Sequence, residues 1–198
     1  MVRQKEKYLG LVSLGVAGLI PAHNVTALIF APVIAIYGLA LARWYKKGWF
    51  KLIIFGLLGV VMAAWFWLPA IAEMDWVALS NHNAVDYQQR WPTLRQVIYS
   101  RWGYGYSGSG DDDGMSFMLG ITQWVVFGLS VIALMVTLLK REQEKVKTKT
   151  KMALVFGGVV LLGLYLMLPM SEWLWQKVSI LAQIQFPWRW LIVSAVGV

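Results

Sequence analysis

The 198-residue sequence contains no cysteine. A disulfide framework, a thiolate metal site and a thiol nucleophile are therefore excluded, although the absence says nothing about compartment. Charge is also scarce. Asp, Glu, Lys and Arg make up 14% of the chain, against roughly a quarter in ordinary soluble domains. Acids are fewest: ten, against 18 Lys and Arg, for a formal net charge of +8. That excess could suggest nucleic acid, but the basic residues fall in short clusters between apolar runs. Such clusters suit an anionic lipid leaflet, and we expect membrane lipids rather than nucleic acid as partners.

Apolar residues fill the space that charge leaves. They make up 59% of the chain, and twelve residues are Trp, the side chain that concentrates where membrane meets water. The runs 25–42, 52–72, 116–139 and 152–169 each hold about 18 or more residues without a formal charge, close to the ~20 needed to span hydrocarbon. A shorter run, 8–20, precedes them, and another, 186–198, is still apolar where the chain stops. Read as one helix, residues 8–42 would be about 50 Å long. Pro21-Ala22-His23-Asn24 in the middle predicts a break, giving two helices closed as a hairpin.

Charge tests this count. With the amino terminus inside, segments 1–7, 43–51 and 140–151 are cytoplasmic and carry 13 of the 18 basic residues. The other side holds seven of the ten acids: Glu73, Asp75, Asp86, Asp111, Asp112, Asp113 and Glu172. Every loop then obeys the positive-inside rule, whereas fusing the first two helices breaks it. The expected fold is all-α: a polytopic bundle of six membrane segments, 8–20, 25–42, 52–72, 116–139, 152–169 and 186–198, in a bacterial cytoplasmic (inner) membrane. A secretory signal peptide is the alternative for the first segment, but no clear small-x-small cleavage site follows. The final segment is too short to cross alone, so we expect a single membrane domain that is a piece of a larger protein, with the remaining portion as a partner.

The external segment 73–115 is the longest connection, and long ordered loops tend to carry function. Residues 91–101 place Leu94, Val97, Ile98 and Arg101 at helical spacing, which predicts a short interfacial helix. Trp76, Tyr87, Trp91, Tyr99, Trp102, Tyr104 and Tyr106 add amphipathic rings that either stack on sugars or form an interfacial belt. A flexible Gly/Ser stretch leads to Asp111, Asp112 and Asp113. These carboxylates suit a hard divalent cation, and a solvated acidic turn looks the same. Residues 171–185 predict a second interfacial helix, with Leu174, Val178, Leu181 and Gln185 in one stripe joined by Trp175 and Ile184.

The remaining polar candidates share this boundary. Glu73 and Asp75 are candidate catalytic residues, either of them a general base or metal ligand for a substrate hydroxyl. The plainer reading is a pair of solvated acids. His23 and Asn24 at the hairpin tip are candidate substrate-binding residues, or simply polar caps. Arg189, between Trp188 and Trp190, offers a planar fork to a lipid phosphate, or snorkels beside belt aromatics.

Three stretches together resemble a known bacterial family: PAHNVTALIFAP at the hairpin, Trp-Gly-Tyr-Gly followed by Asp-Gly-Met-Ser-Phe-Met-Leu-Gly before the fourth span, and FPWRW opening the sixth. They resemble the polytopic membrane proteins labelled 6-pyruvoyl-tetrahydropterin-synthase-related, which are similar to membrane glycosyltransferases of the type-C fold. The resemblance covers nearly the whole chain, but only the central and later part of such a protein. It implies a polyprenyl-phosphate sugar as donor and an extracytoplasmic site for envelope glycan modification. Trp188 and Arg189 would then face the donor phosphate, Glu73 or Asp75 the acceptor hydroxyl, and the loop aromatics the sugar rings. Two features depart from the pattern. Pterin synthesis needs three His on zinc, and only His23 and His82 exist, so no zinc or pterin site is expected. Type-C transferases usually carry an acid in the first external loop, where this chain has His23 and Asn24. A non-catalytic envelope scaffold is the alternative. Transport ranks last, because the spans hold no formal charge at mid-depth.

Overall fold

The computed structural model describes residues 8–45, 49–73, 76, 87–107, 114–139 and 144–198. Asp75, Asp111, Asp112, Asp113, His82 and Asp86 lie outside the described residues. The described chain is helical, with one isolated antiparallel bridge, Tyr104 to Met115, and no strand. Contacts divide it into two compact units, residues 1–83 and 84–198, each described by itself below.

In the first unit α1 (Leu9–Ala22), α2 (Asn24–Tyr45), α3 (Trp49–Met62) and α4 (Ala64–Ala72) follow in order. The break between α1 and α2 falls at His23, inside the Pro-Ala-His-Asn tip, where the backbone is extended (φ −164°, ψ 101°). Its imidazole starts α2: the Thr26 amide donates to His23 Nδ1 at 3.1 Å, covering one of the N–H groups a helix start leaves open. Packing of α1 on α3 turns on two small residues. Ser13 donates to the Phe55 carbonyl at 2.6 Å. A Cβ on Gly59 would lie 2.6 Å from the Ser13 carbonyl oxygen and 2.7 Å from Val16 Cβ. Such close approach, with a hydroxyl satisfied across the seam, is how helices pack where the hydrophobic effect offers no drive. The apolar run 52–72 is not one straight helix. It bends by 60° at Ala63, and the Trp67 indole donates to the Val60 carbonyl at 2.9 Å, supplying a partner at the break.

The second unit holds α5 (Leu94–Ile98), α6 (Ile121–Leu139), α7 (Glu144–Leu166), α8 (Glu172–Lys177), α9 (Ser179–Ala182) and α10 (Leu191–Gly197). Gly120, at φ +107°, turns the chain into α6, a conformation that favours glycine. No residue of α6 is buried. Leu129, Ile132, Met135 and Leu139 are all exposed on it, costly in water and natural in lipid. α7 packs on α10 through glycine again: a Cβ on Gly163 would meet Ser194 Oγ at 2.4 Å, and that hydroxyl donates to the Val160 carbonyl at 3.0 Å. Past α7 the chain turns by 91°. The Leu166 carbonyl there receives the Trp175 indole at 3.1 Å and Ser171 Oγ at 3.3 Å, so a carbonyl of the helix end is satisfied in the core. Val160, Met167, Trp175, Ile184, Trp190 and Val193 fill that core.

Two helices, within α2 and α6, are long and apolar enough to cross a membrane, and up to four spans result if each bent pair is one span. The chain is thus an all-α protein with membrane-length helices. The two helices expected at the interface are shorter than the periodicity predicts. The 91–101 helix contracts to Leu94–Ile98, held by a capping box in which Gln96 N donates to Thr93 Oγ1 and Thr93 N to Gln96 Oε1. Of its stripe Val97 is buried while Leu94 and Ile98 are exposed. Residues 171–185 form not one helix but two, interrupted at Val178.

Candidate functional site

Among the residues expected to act, His23, Asn24 and Glu73 belong to the first unit, and Trp188 and Arg189 to the second. His23 Nδ1 accepts the Thr26 amide and lies 3.0 Å from Thr26 Oγ1, so a neutral ring carries its proton on Nε2. Asn24 Oδ1 accepts from the Val25 amide at 2.8 Å. Both therefore have local structural work at the helix start. Glu73 closes α4 and is exposed.

In the second unit aromatic rings gather around the PWRW turn (Pro187–Trp190) and the loop before α5. Tyr87 lies 5.2 Å from Trp175 and 6.0 Å from Trp91, with Trp91 5.4 Å from Trp175, ring centre to ring centre. Trp188 sits 6.2 Å from Phe117 and 5.5 Å from Phe186. These distances are those of tilted and edge-to-face pairs, which stabilise beyond area burial.

Arg189 has a definite place. Its Nη1 donates to the Ile184 carbonyl at 2.7 Å, and its guanidinium lies 4.9 Å from the Phe186 ring centre. The same carbonyl accepts the Phe186 amide at 2.8 Å across a three-residue turn centred on Gln185, whose φ is +68°. A positive φ in such a turn is strained for a side-chain-bearing residue. Arg189 thus braces the turn that presents FPWRW.

Around these rings the polar accounting does not close. Arg90 Nε, Trp91 Nε1, Ser107 Oγ, Trp188 Nε1 and Trp190 Nε1 are shielded from solvent and have no hydrogen-bond partner among the described residues. Each unmade bond of this kind costs about 1–3 kcal/mol. All five can donate, and four can do nothing else. Glu172 accepts from Gln176 at 3.3 Å. Among the described residues no three of His, Asp and Glu gather as a metal site.

On the surface Trp102, Tyr104 and Tyr106, the last of them against Arg90, alternate with glycines and are 79%, 89% and 76% exposed. The glycines are required: a Cβ on Gly103 would lie 2.4 Å, and one on Gly105 2.7 Å, from the Gly114 carbonyl oxygen. The chain therefore lies flat on Gly114, and its rings are left outside. Elsewhere in this unit a cleft of about 590 Å³ runs along Phe127, Leu134, Gly157, Gly158 and Leu161, with Ser130 its one hydroxyl. It is a hydrocarbon surface, not a place for acid–base chemistry.

Shielded donors and aromatic faces thus gather in the described part of the second unit. Arg90 and Ser107 were not among the residues singled out from sequence. One signal points to Arg90: an Arg-Trp dipeptide, which occurs at 43–44, 90–91, 101–102 and 189–190. No family model, curated protein or solved structure matches the chain.

Proposed function

We propose that the chain is a glycosyltransferase-like protein of a bacterial inner membrane that handles a lipid-linked sugar on the extracytoplasmic side. Six membrane segments with the amino terminus in the cytoplasm give that side the acids and aromatics, on the charge count above. The observation that carries the reading is Trp188, set beside the Phe117 and Phe186 rings with its indole N–H shielded and without a partner among the described residues. Sugar hydroxyls and phosphate oxygens are acceptors, and sugar faces stack on rings. In this reading a polyprenyl-phosphate sugar is the partner, Trp188 and Arg189 contact its head group, and Glu73 or Asp75 takes the acceptor proton. A divalent cation at Asp111–Asp113 would add charge for the leaving phosphate.

The test is sugar transfer in membranes that contain the chain, with a labelled polyprenyl-phosphate sugar as donor. Loss of a general base costs about 100-fold or more, so Glu73→Ala or Asp75→Ala should abolish transfer. Undiminished transfer in both variants and in Trp188→Phe would remove the assignment. The exposure of Glu73 favours a second reading, a non-catalytic scaffold of the cell envelope, because an exposed acid at a helix end needs no chemical role.

A further inference from the structure

Arg90 and Ser107 have no role in the reading above, and the unused donors there have a pattern of their own. Arg90 Nη2 donates to the Tyr106 hydroxyl, and the guanidinium lies 4.5 Å from the Tyr106 ring centre. This contact clamps the dipeptide Arg90-Trp91 to Tyr106-Ser107. Those two dipeptides hold three of the five unpartnered donors, Arg90 Nε, Trp91 Nε1 and Ser107 Oγ. Ser107 is only 6% exposed, so its hydroxyl has no recourse to water. Between residues 87 and 107 the chain carries Arg90, Arg95 and Arg101 and no acid. Among the described residues no carboxylate meets Arg90. Among them its acceptor is a neutral phenol, borne on a ring that is itself largely exposed.

A half-buried guanidinium is stabilised by a charged acceptor more than by a phenol, because charge-assisted bonds to the planar fork are about twice as strong. The Tyr106 hydroxyl therefore occupies a place that an anionic oxygen would fill better. We propose that Arg90, with Ser107 and the Trp91 indole, forms a site for a phosphoryl oxyanion, and that Tyr106 is its displaceable cover. The oxyanion enters as the exposed Tyr106 ring swings aside. It takes the fork of Arg90 and accepts from the Ser107 hydroxyl. The site does not depend on the sugar chemistry proposed above: it binds phosphate whether or not transfer occurs.

The full chain, purified in a phosphate-free maltoside detergent, is titrated with inorganic phosphate and with farnesyl monophosphate, farnesol being the control, and binding is read by calorimetry and phosphorus NMR. Binding of farnesyl monophosphate above farnesol, without competition by inorganic phosphate, supports the site and assigns it to a lipid-borne phosphate. Competition, or binding of inorganic phosphate alone, supports it as a site for free oxyanion. In either case Arg90→Gln weakens binding by about tenfold or more, and Ser107→Ala by less. Tyr106→Phe, which removes the competing acceptor and keeps the ring, tightens it. A merely structural Arg90–Tyr106 contact predicts no such gain. If Arg90→Gln does not fold, the other two variants decide, since both leave the guanidinium in place. Failure of both probes to bind, or affinities unchanged in Ser107→Ala and Tyr106→Phe, overturns the proposal. Sugar transfer lost with phosphate binding intact would count against the transferase reading alone.

Discussion

Arg189 Nη1 reaches back 2.7 Å to the carbonyl of Ile184, the same oxygen that the Phe186 amide holds at 2.8 Å across the positive-φ residue Gln185. One carbonyl thus ties the start of the FPWRW turn to its cation. This couples a side chain expected to meet lipid phosphate to the backbone conformation of its own motif.

The coupling is measurable. Arg189→Ala removes a charge-assisted hydrogen bond worth about 1.5–3 kcal/mol and should lower the unfolding midpoint in detergent. Gln185→Gly relieves a strained φ and should raise stability by up to about 1 kcal/mol. In the Gln185→Gly background Arg189→Ala should cost less, because the turn no longer needs its brace. Additive effects in this double-mutant cycle would show that Arg189 and Gln185 do not act together.

The glycines separate by what a Cβ would meet. At Gly59 the obstacle is the Ser13 backbone oxygen, 2.6 Å away, and backbone cannot rotate aside. Gly59→Ala should therefore lose about 1–3 kcal/mol through overpacking. At Gly163 the nearest atom is the Ser194 hydroxyl, at 2.4 Å, so Gly163→Ala should be partly rescued by Ser194→Ala. Gly128 and Gly157 have nothing within 4 Å, and alanine there should hold or raise the midpoint, since glycine inside a helix costs about 0.5–1 kcal/mol relative to alanine. Thermal unfolding of the four variants in one detergent is the check. Equal losses at Gly59 and Gly157 would contradict the packing.

His23 offers a separation of structure from chemistry. Its Nδ1 accepts the Thr26 amide, a job that Asn or Ser at a helix start performs as well. His23→Ala should cost about 1 kcal/mol, as lost helix caps do, whereas His23→Asn should keep that stability. If sugar transfer survives in a stable His23→Asn variant, the imidazole serves only the helix start. If transfer is lost while the fold holds, its proton chemistry is used.

Much of this architecture was readable beforehand, for reasons that lie in particular residues. The break at Pro21-Ala22-His23-Asn24 was visible because turn-forming residues interrupt an apolar run that is too long for one span. The bend at Ala63 was not. Nothing in Met62-Ala63-Ala64 breaks a helix, and the bend is accompanied by a side-chain bond from the Trp67 indole to the Val60 carbonyl. The length of α5 is not legible, because helical spacing continues past Ile98, while Ser100 turns inward to donate to the Gln96 carbonyl at 2.6 Å. The bond from Arg189 to Ile184 was not legible: its setting between Trp188 and Trp190 predicts a membrane-boundary cation, whereas the bond depends on a positive φ that no pattern announces. Arg90 escaped notice because its significance is an unmet bond, and sequence does not record which bonds are made.

Topology is the prediction on which the external site depends, and the lack of cysteine makes it directly measurable. Any cysteine introduced is the only thiol, so a membrane-impermeant maleimide reports on one position at a time. Ser80→Cys and Ser109→Cys fall in the segment assigned to the outside and should label in intact cells. Tyr45→Cys and Thr148→Cys fall beside the basic clusters assigned to the cytoplasm and should label only after permeabilisation. None of the four changes a charge, so the bias that sets orientation is left as it is. The two pairs must behave oppositely. Labelling of Thr148→Cys from outside would put the basic segment 140–151 across the membrane and break the charge rule on which the orientation rests. Silence at Ser80 and Ser109 in intact cells would move the rings and acids of 73–115 to the inner face, where a polyprenyl-linked donor on the outer leaflet could not meet them.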